Sequence, residues 1–265
     1  MMLAAFWAAA ALATAAAPAR PNEIDRAIAM HRFDQARLMI AAAVKDGATG
    51  QTIERPLAAL AFASGRNEEA LARLEALLRV APHDPLLLEQ ATIAAIRLGK
   101  TDVALPYAER AARLPKASWR LWNAKGVLAD GARDWAEADR AYARAMALAP
   151  GEADVANNLG WSRLLRGDWP GAAEALARAA TLSPRSVRIA NNLELAELGL
   201  ARDLPTRHAS ESSTAYAARL NDAGIAALSR GDTSRARAAF ARAIEASGRW
   251  YARADANLAL VGERP

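Results

Sequence analysis

Residues able to make or break covalent bonds are few in this chain and far apart. Cysteine is absent, which removes disulfides, thiol nucleophiles, Cys-ligated zinc and lipid attachment through cysteine. The histidines His31, His83 and His208 lie far apart in the sequence and read as solvated turn and connector residues rather than as a shared metal or acid/base site. There is no Gly-rich phosphate loop, no His-Glu-x-x-His, no Gly-x-Ser-x-Gly and no close carboxylate pair with a metal-like pattern. The chemistry that does recur is recognition. Val155-Ala-Asn-Asn-Leu-Gly160 and Ile189-Ala-Asn-Asn-Leu-Glu194 each present two adjacent amides. An amide offers a donor and an acceptor together, which suits an extended peptide backbone. The expectation is a binding protein, not an enzyme, with no cofactor and no metal.

The elements that must carry these residues are helical. Alanine is the commonest residue and the best helix former, while Val, Ile and Thr are scarce, so an all-α chain packed through small side chains is expected. The hydrophobic content of 53% is enough to fill a core, and no low-complexity tract interrupts it. The net charge is +5, with Lys45, Lys100, Lys116 and Lys125 the only lysines. Such a balance can favour an acidic partner, nucleic acid or a membrane surface. The arginines are interspersed with Asp and Glu and form no runs, which favours an ordinary solvated helix surface and no nucleic-acid partner.

The two amide blocks stand 34 residues apart, and the same step joins Ala36, Ala70, Ala104, Ala138 and Ala172. Two flanking columns keep the step: His31, Gly65, Gly99, Arg133 and Gly167 before the alanines, and Ala48, Pro82, Lys116, Pro150 and Pro184 after them. This pattern resembles the tetratricopeptide repeat. Trp122, Gly126, Ala138, Tyr142, Ala145 and Pro150 give the best match; the next repeat keeps Leu159, Gly160, Gly167, Trp169, Ala172, Leu176, Ala179 and Pro184. The resemblance implies a TPR-type α-α solenoid, a right-handed superhelix of antiparallel helix pairs. Gly126 beside Ala138 and Gly160 beside Ala172 would let paired backbones approach, with Trp122, Trp135, Tyr142 and Trp169 filling the gaps. Gly65, Gly99, Gly167 and Gly231 suit a left-handed helix end, and Pro82, Pro150 and Pro184 stop the second helices.

Regular units are expected over residues 20–200, five complete and a sixth begun by a helix from Val187 to Leu200. Residues 201–212, with Pro205 and a polar run, read as a loop. A final unit and capping helix are expected over 213–265, with Ala172 to Ala236 covering 64 residues, four short of two periods. Residues 1–19 carry no charged side chain and end in Ala17-Pro18-Ala19, a small-x-small pattern that a signal peptidase could cut. No Lys or Arg precedes the apolar run, so two readings stand: an exported, periplasmic protein, or an uncleaved helix on the first repeat of a cytoplasmic one. No later segment is long and apolar enough to span a membrane.

In the family, the first helix of each repeat lines a groove that holds a segment of a partner protein. Carried over position by position, this implies contacts from Arg120, Asn123, Asp154, Asn157, Asn158, Trp161, Arg188, Asn191, Asn192 and Leu195. Arg188 could pair with a carboxylate, and Trp161 could anchor an interface. The competing readings are that Asn158 and Asn192 serve local structure and that Trp161 is buried against a neighbouring helix. A narrower likeness covers Val155 to Pro205, which is similar to the end of the accessory proteins of tight-adherence (Flp) pilus assembly. There an Asn-Asn-Leu-Gly helix precedes an Arg-x-x-x-Asn-Leu helix, here Arg188 to Leu193, and an Asp-Leu-Pro segment, here Asp203-Leu204-Pro205. Members are often lipoproteins and end sooner, whereas this chain lacks Cys and continues into a further repeat. Together these imply a scaffold of the bacterial envelope that assists pilus or secretion assembly. A cytoplasmic adaptor, a regulatory subunit or a helical enzyme are the alternatives.

Overall fold

The computed structural model describes residues 21–201, 203–248 and 251–262, so the expected signal segment and Trp250 lie outside the described residues. These residues form fourteen helices and no strand. They fall into two compact units, residues 1–111 and 112–265. The first contains α1 (Pro21–Ala29), α2 (Phe33–Lys45), α3 (Gln51–Ala63), α4 (Asn67–Val80), α5 (Pro85–Arg97) and α6 (Thr101–Ala112). The second contains α7 (Trp119–Gly131), α8 (Trp135–Leu148), α9 (Ala153–Leu165), α10 (Trp169–Leu182), α11 (Val187–Leu200), α12 (Ser213–Ser229), α13 (Thr233–Ser247) and α14 (Ala252–Gly262).

Within each unit the turn between paired helices is built one way. His31, Gly65, Gly99, Arg133, Gly167 and Gly231 all have φ between 56° and 81°, the left-handed region. The residue after each donates its N–H to a carbonyl five positions back, as Asp134 does to Ala129 and Asp168 to Arg163, both at 2.9 Å. That bond closes the free end of the first helix. His31 and Arg133 adopt the conformation despite a Cβ, so the repeat imposes it where glycine is missing. Asp134, Asp168 and Asp232 then cap the second helices by accepting the N–H of Glu137, Gly171 and Arg235. The second helices α4, α8 and α10 end at Val80, Leu148 and Leu182, two residues before Pro82, Pro150 and Pro184.

The close approach inside a helix pair differs in detail from the expected one. A Cβ added at Gly126 would lie 2.5 Å from the Tyr142 ring, and one at Gly160 2.5 Å from the Leu176 side chain. Gly224 faces the Phe240 ring in the same way, at 2.4 Å. Each glycine makes room for the large side chain four residues beyond the register alanine, and at Gly160 the added Cβ would also lie 3.3 Å from Ala172 O, the backbone approach expected there. Tyr142, Leu176 and Phe240 are fully buried as a result.

The sixth repeat has no second helix. Arg230, at the end of α12, donates to Gly199 O at the end of α11, and Arg219, in the first half of α12, pairs with Glu194 of α11 at 3.6 Å. The two helices thus run in the same direction, and residues 203–212 return between them without regular structure. That return is pinned by polar contacts. Tyr216 OH donates to Pro205 O at 3.2 Å, and Arg219 holds Glu211 at 2.8 and 3.0 Å and Thr206 O at 2.6 Å. Arg235 donates to Leu198 O, Ala201 O and Asp203 O, a cation on the open C-terminus of α11.

Candidate partner-binding surface

In the second unit the first helices of successive pairs, α7, α9, α11 and α12, present one face, and a relay of amides runs across it. Asn192 Nδ2 donates to Asn157 Oδ1 at 2.9 Å, Asn157 Nδ2 to Asn158 Oδ1 at 3.3 Å, and Asn158 Nδ2 to Asn123 Oδ1 at 3.1 Å. The relay ties α11 to α9 and α9 to α7. Beyond the irregular repeat the arrangement starts again. Asn257 Nδ2 of α14 donates to Asn221 Oδ1 at 2.9 Å, and Asn221 Nδ2 to Asp222 Oδ1 at 3.5 Å. Asn221 and Asp222 follow Asn157 and Asn158 by the same 64 residues that separate Ala172 from Ala236. By this contact α14 occupies the place of a further first helix.

The residues expected to meet a partner divide between this relay and the open surface. Asn157 is only 2% exposed and its amide is used on both sides, so it positions Asn158 and Asn192 and cannot itself reach a partner. Asn123, Asn158 and Asn192 are half-buried, each keeping part of its hydrogen-bonding capacity outside the relay. Asn191 is exposed. Arg120 is exposed with its guanidinium 4.5 Å from the Trp119 ring centre. Arg188 is also exposed and pairs with Asp154 one repeat away at 2.5 Å.

Trp161 is one of the large apolar side chains left open on this face. It is 42% exposed, and it lines a cleft of about 710 Å³. Leu164, Leu165, Leu195 and Ile225 supply further apolar lining, and Trp135 and Trp169 close its sides. Trp169 is a packing residue, stacked where a Cβ on Gly199 would lie 2.1 Å from its ring. Trp135 was expected to pack in the same way, but it is half-buried and faces the cleft. Trp135 begins α8 as Trp169 begins α10, but Leu165 stands at the position where Gly199 makes room for the Trp169 ring. Ile225 was missed as a lining residue, although it follows Trp161 by the 64-residue offset and so occupies the matching position.

At the cleft lies Asp130. Its Oδ1 accepts from Ser162 Oγ at 2.6 Å and its Oδ2 from Tyr142 OH at 2.7 Å. Burial raises its pKa above the ordinary carboxylate value, against the lowering effect of those two hydrogen bonds. Burial likewise pushes the Tyr142 hydroxyl up, with the Asp130 charge adding to it. Arg166 also lines the cleft and holds Asp139 through two bonds of 2.7 and 2.8 Å. Among the described residues no group of His, Asp or Glu side chains is arranged to hold a metal ion. No described helix is long and apolar enough to cross a membrane.

Two stretches, residues 55–118 and 123–187, match the family model of the tetratricopeptide repeat. The chain is built of tetratricopeptide repeats. Solved structures share the architecture. A thermophilic TPR protein of Thermus thermophilus, TTC0263, is 19% identical with a TM-score of 0.56, over 67% of this chain and 97% of that one. PilW, a widely conserved type IV pilus biogenesis factor, is 14% identical with a TM-score of 0.55, over 90% of this chain and 96% of that one. Against the Cut9–Hcn1 assembly of the APC/C, identity is 14% and the TM-score 0.55; this TPR chain covers 91% of itself but spans only 42% of that chain. At these identities the likeness is one of fold. Among curated proteins none matches the sequence significantly.

Proposed function

We propose that this TPR protein is a non-enzymatic scaffold that holds an extended segment of another protein on the first-helix face of its second unit. The observation that carries the reading is Trp161, a large apolar side chain left open in a cleft on a face otherwise tied together by buried amides. Exposed tryptophan beside a pocket is a frequent anchor of protein interfaces. Asn123, Asn158, Asn191 and Asn192 would offer amide groups to the partner backbone, while Arg120 and Arg188 stand at the edge with their charges in solvent. Asn157 belongs to the support beneath them. TPR proteins as a family bind protein or peptide partners, which agrees with a surface that offers recognition groups.

The site of action we infer is the bacterial cell envelope, in the assembly of a pilus or secretion machine. The support is in the sequence: the Ala17-Pro18-Ala19 pattern after an uncharged apolar run, and the resemblance of the Arg188 to Leu193 and Asp203-Leu204-Pro205 segments to tight-adherence pilus accessory proteins. Cross-linked pull-downs from the envelope fraction of the native host test both parts. Pilus or secretin components captured by wild type and lost with Trp161→Ala are expected; recovery of cytoplasmic proteins alone would reject the envelope reading. N-terminal sequencing of the mature protein is the independent check, since an intact Met1 contradicts export through a cleaved signal.

A further inference from the structure

Asp130 is the carboxylate of the cleft that no cation pairs with directly among the described residues. Both its hydrogen-bond donors, Ser162 and Tyr142, are neutral, and among the described residues it forms no ion pair. The neighbouring cation, Arg166, is committed to Asp139 in a two-point pair, and Arg133 stands exposed at the mouth. Burial leaves the Asp130 pKa raised and the Arg166 charge lowers it only in part, the mark of a half-buried carboxylate that carries a desolvation cost. An incoming cation would remove that cost. Around this acid the lining is suited to the rest of such a ligand. The Trp161 and Trp135 rings offer π faces that attract a cation, and Leu165 and Ile225 offer apolar surface to an alkyl stem.

Resting on the scaffold reading above, the geometry points to a lysine or arginine side chain of the partner segment as the group selected by this cleft, its charge on Asp130 and its stem along Trp161 and Ile225. An acidic side chain would meet the Asp130 carboxylate unfavourably, and a neutral alkyl chain would fill the apolar part while leaving the carboxylate unpaired. Selection is therefore by charge at the cleft floor and by length along its wall.

The test uses the full purified chain and capped pentapeptides Gly-Leu-X-Leu-Gly in which X is lysine, arginine, norleucine or glutamate. The Trp161 indole N–H resonance, assigned by its loss in Trp161→Phe, reports occupancy. Saturable shifts with lysine and arginine are expected, with norleucine weaker by about tenfold and glutamate weaker still. Asp130→Asn, checked for an unchanged melting temperature, should bring lysine down to the norleucine level. Should that variant fail to fold, the lysine-to-norleucine ratio in wild type decides alone. Norleucine or glutamate binding as tightly as lysine, or no shift with any peptide, overturns the cation assignment. A partner still captured through Trp161 would then leave the scaffold reading standing. Lysine-selective shifts with no partner captured would remove the pathway and keep the cleft chemistry.

Discussion

The two units fill the same packing positions with different side chains. Where the second unit sets Gly126 against Tyr142, Gly160 against Leu176 and Gly224 against Phe240, the matching positions of the first unit hold Ala58 with Leu74 and Thr92 with Ala108. All of these are buried, so the two units fill the space between paired helices with different side-chain combinations. The polar face differs more. At the positions of Asn123 and Asn157 the first unit has Arg55 and Glu89, and at those of Asn158 it has Gln90 and Pro56. Arg55 reaches Asp84 at 2.8 Å, with both side chains partly in solvent. The second unit replaces such pairs by short amides bonded to one another across helices. In the second unit Trp161, Leu195 and Ile225 border a cleft; the first unit carries Ala59 and Ile93 at the matching positions. Equal backbone repeats can thus be given unequal roles by a few columns of side chains.

The largest test of this contrast is the ring-on-glycine packing. Phe240→Ala should cost about 3–5 kcal/mol, read by denaturant unfolding. Gly224→Ala should cost about 1–3 kcal/mol through the clash with that ring. Adding Phe240→Leu to it imitates Ala58 and Leu74 and should recover most of that loss. Absence of recovery would show that the two units are not interchangeable in size. Next in effect, Asn157→Ala should cost about 1–3 kcal/mol, because it strips partners from Asn158 and Asn192 together. Arg55→Ala in the first unit should cost less, about 0–1 kcal/mol, as for partly exposed ion pairs. Equal losses would remove the distinction between buried relay and surface pair.

A pH experiment sharpens the picture of the cleft. Burial raises the Asp130 pKa in the folded chain, so the folded state holds that proton more tightly than the unfolded one. Its contribution to stability is therefore full below the ordinary carboxylate pKa and is lost as pH rises through the raised value. Asp130→Asn should flatten the melting temperature across that acidic window and be no less stable than wild type at neutral pH. A steeper curve in the variant would show that the carboxylate is stabilised as the anion. A modest stability effect is expected from Trp161→Ala, below the cost of Asn157→Ala, since the ring is partly in solvent. A loss of the Phe240→Ala size would make Trp161 a core residue.

Much of the fold was legible from spacing alone, because the repeat places the same backbone demand every 34 residues. The turn column even marked His31 and Arg133, whose left-handed backbone no residue preference would suggest. Depth was harder to read. The period puts Asn157 on the partner-facing helix but does not show that Asn192 and Asn158 close over it, since that depends on how neighbouring first helices pack. Asp130 gave no signal either, as its partners Tyr142 and Ser162 come from two other helices. The direction of α12 follows from contacts of Arg219 and Arg230 with α11 and from none of the local patterns.

The central claim is that a partner lies against Trp161. A photo-crosslinking amino acid introduced at position 161 in the native host, with another at position 38 in the first unit as control, tests it most directly. Leu38 is 73% exposed, so it reports chance encounters. A discrete adduct with one protein from position 161, absent from position 38, is the predicted result. The same adducts from both positions, or none from position 161, would contradict it.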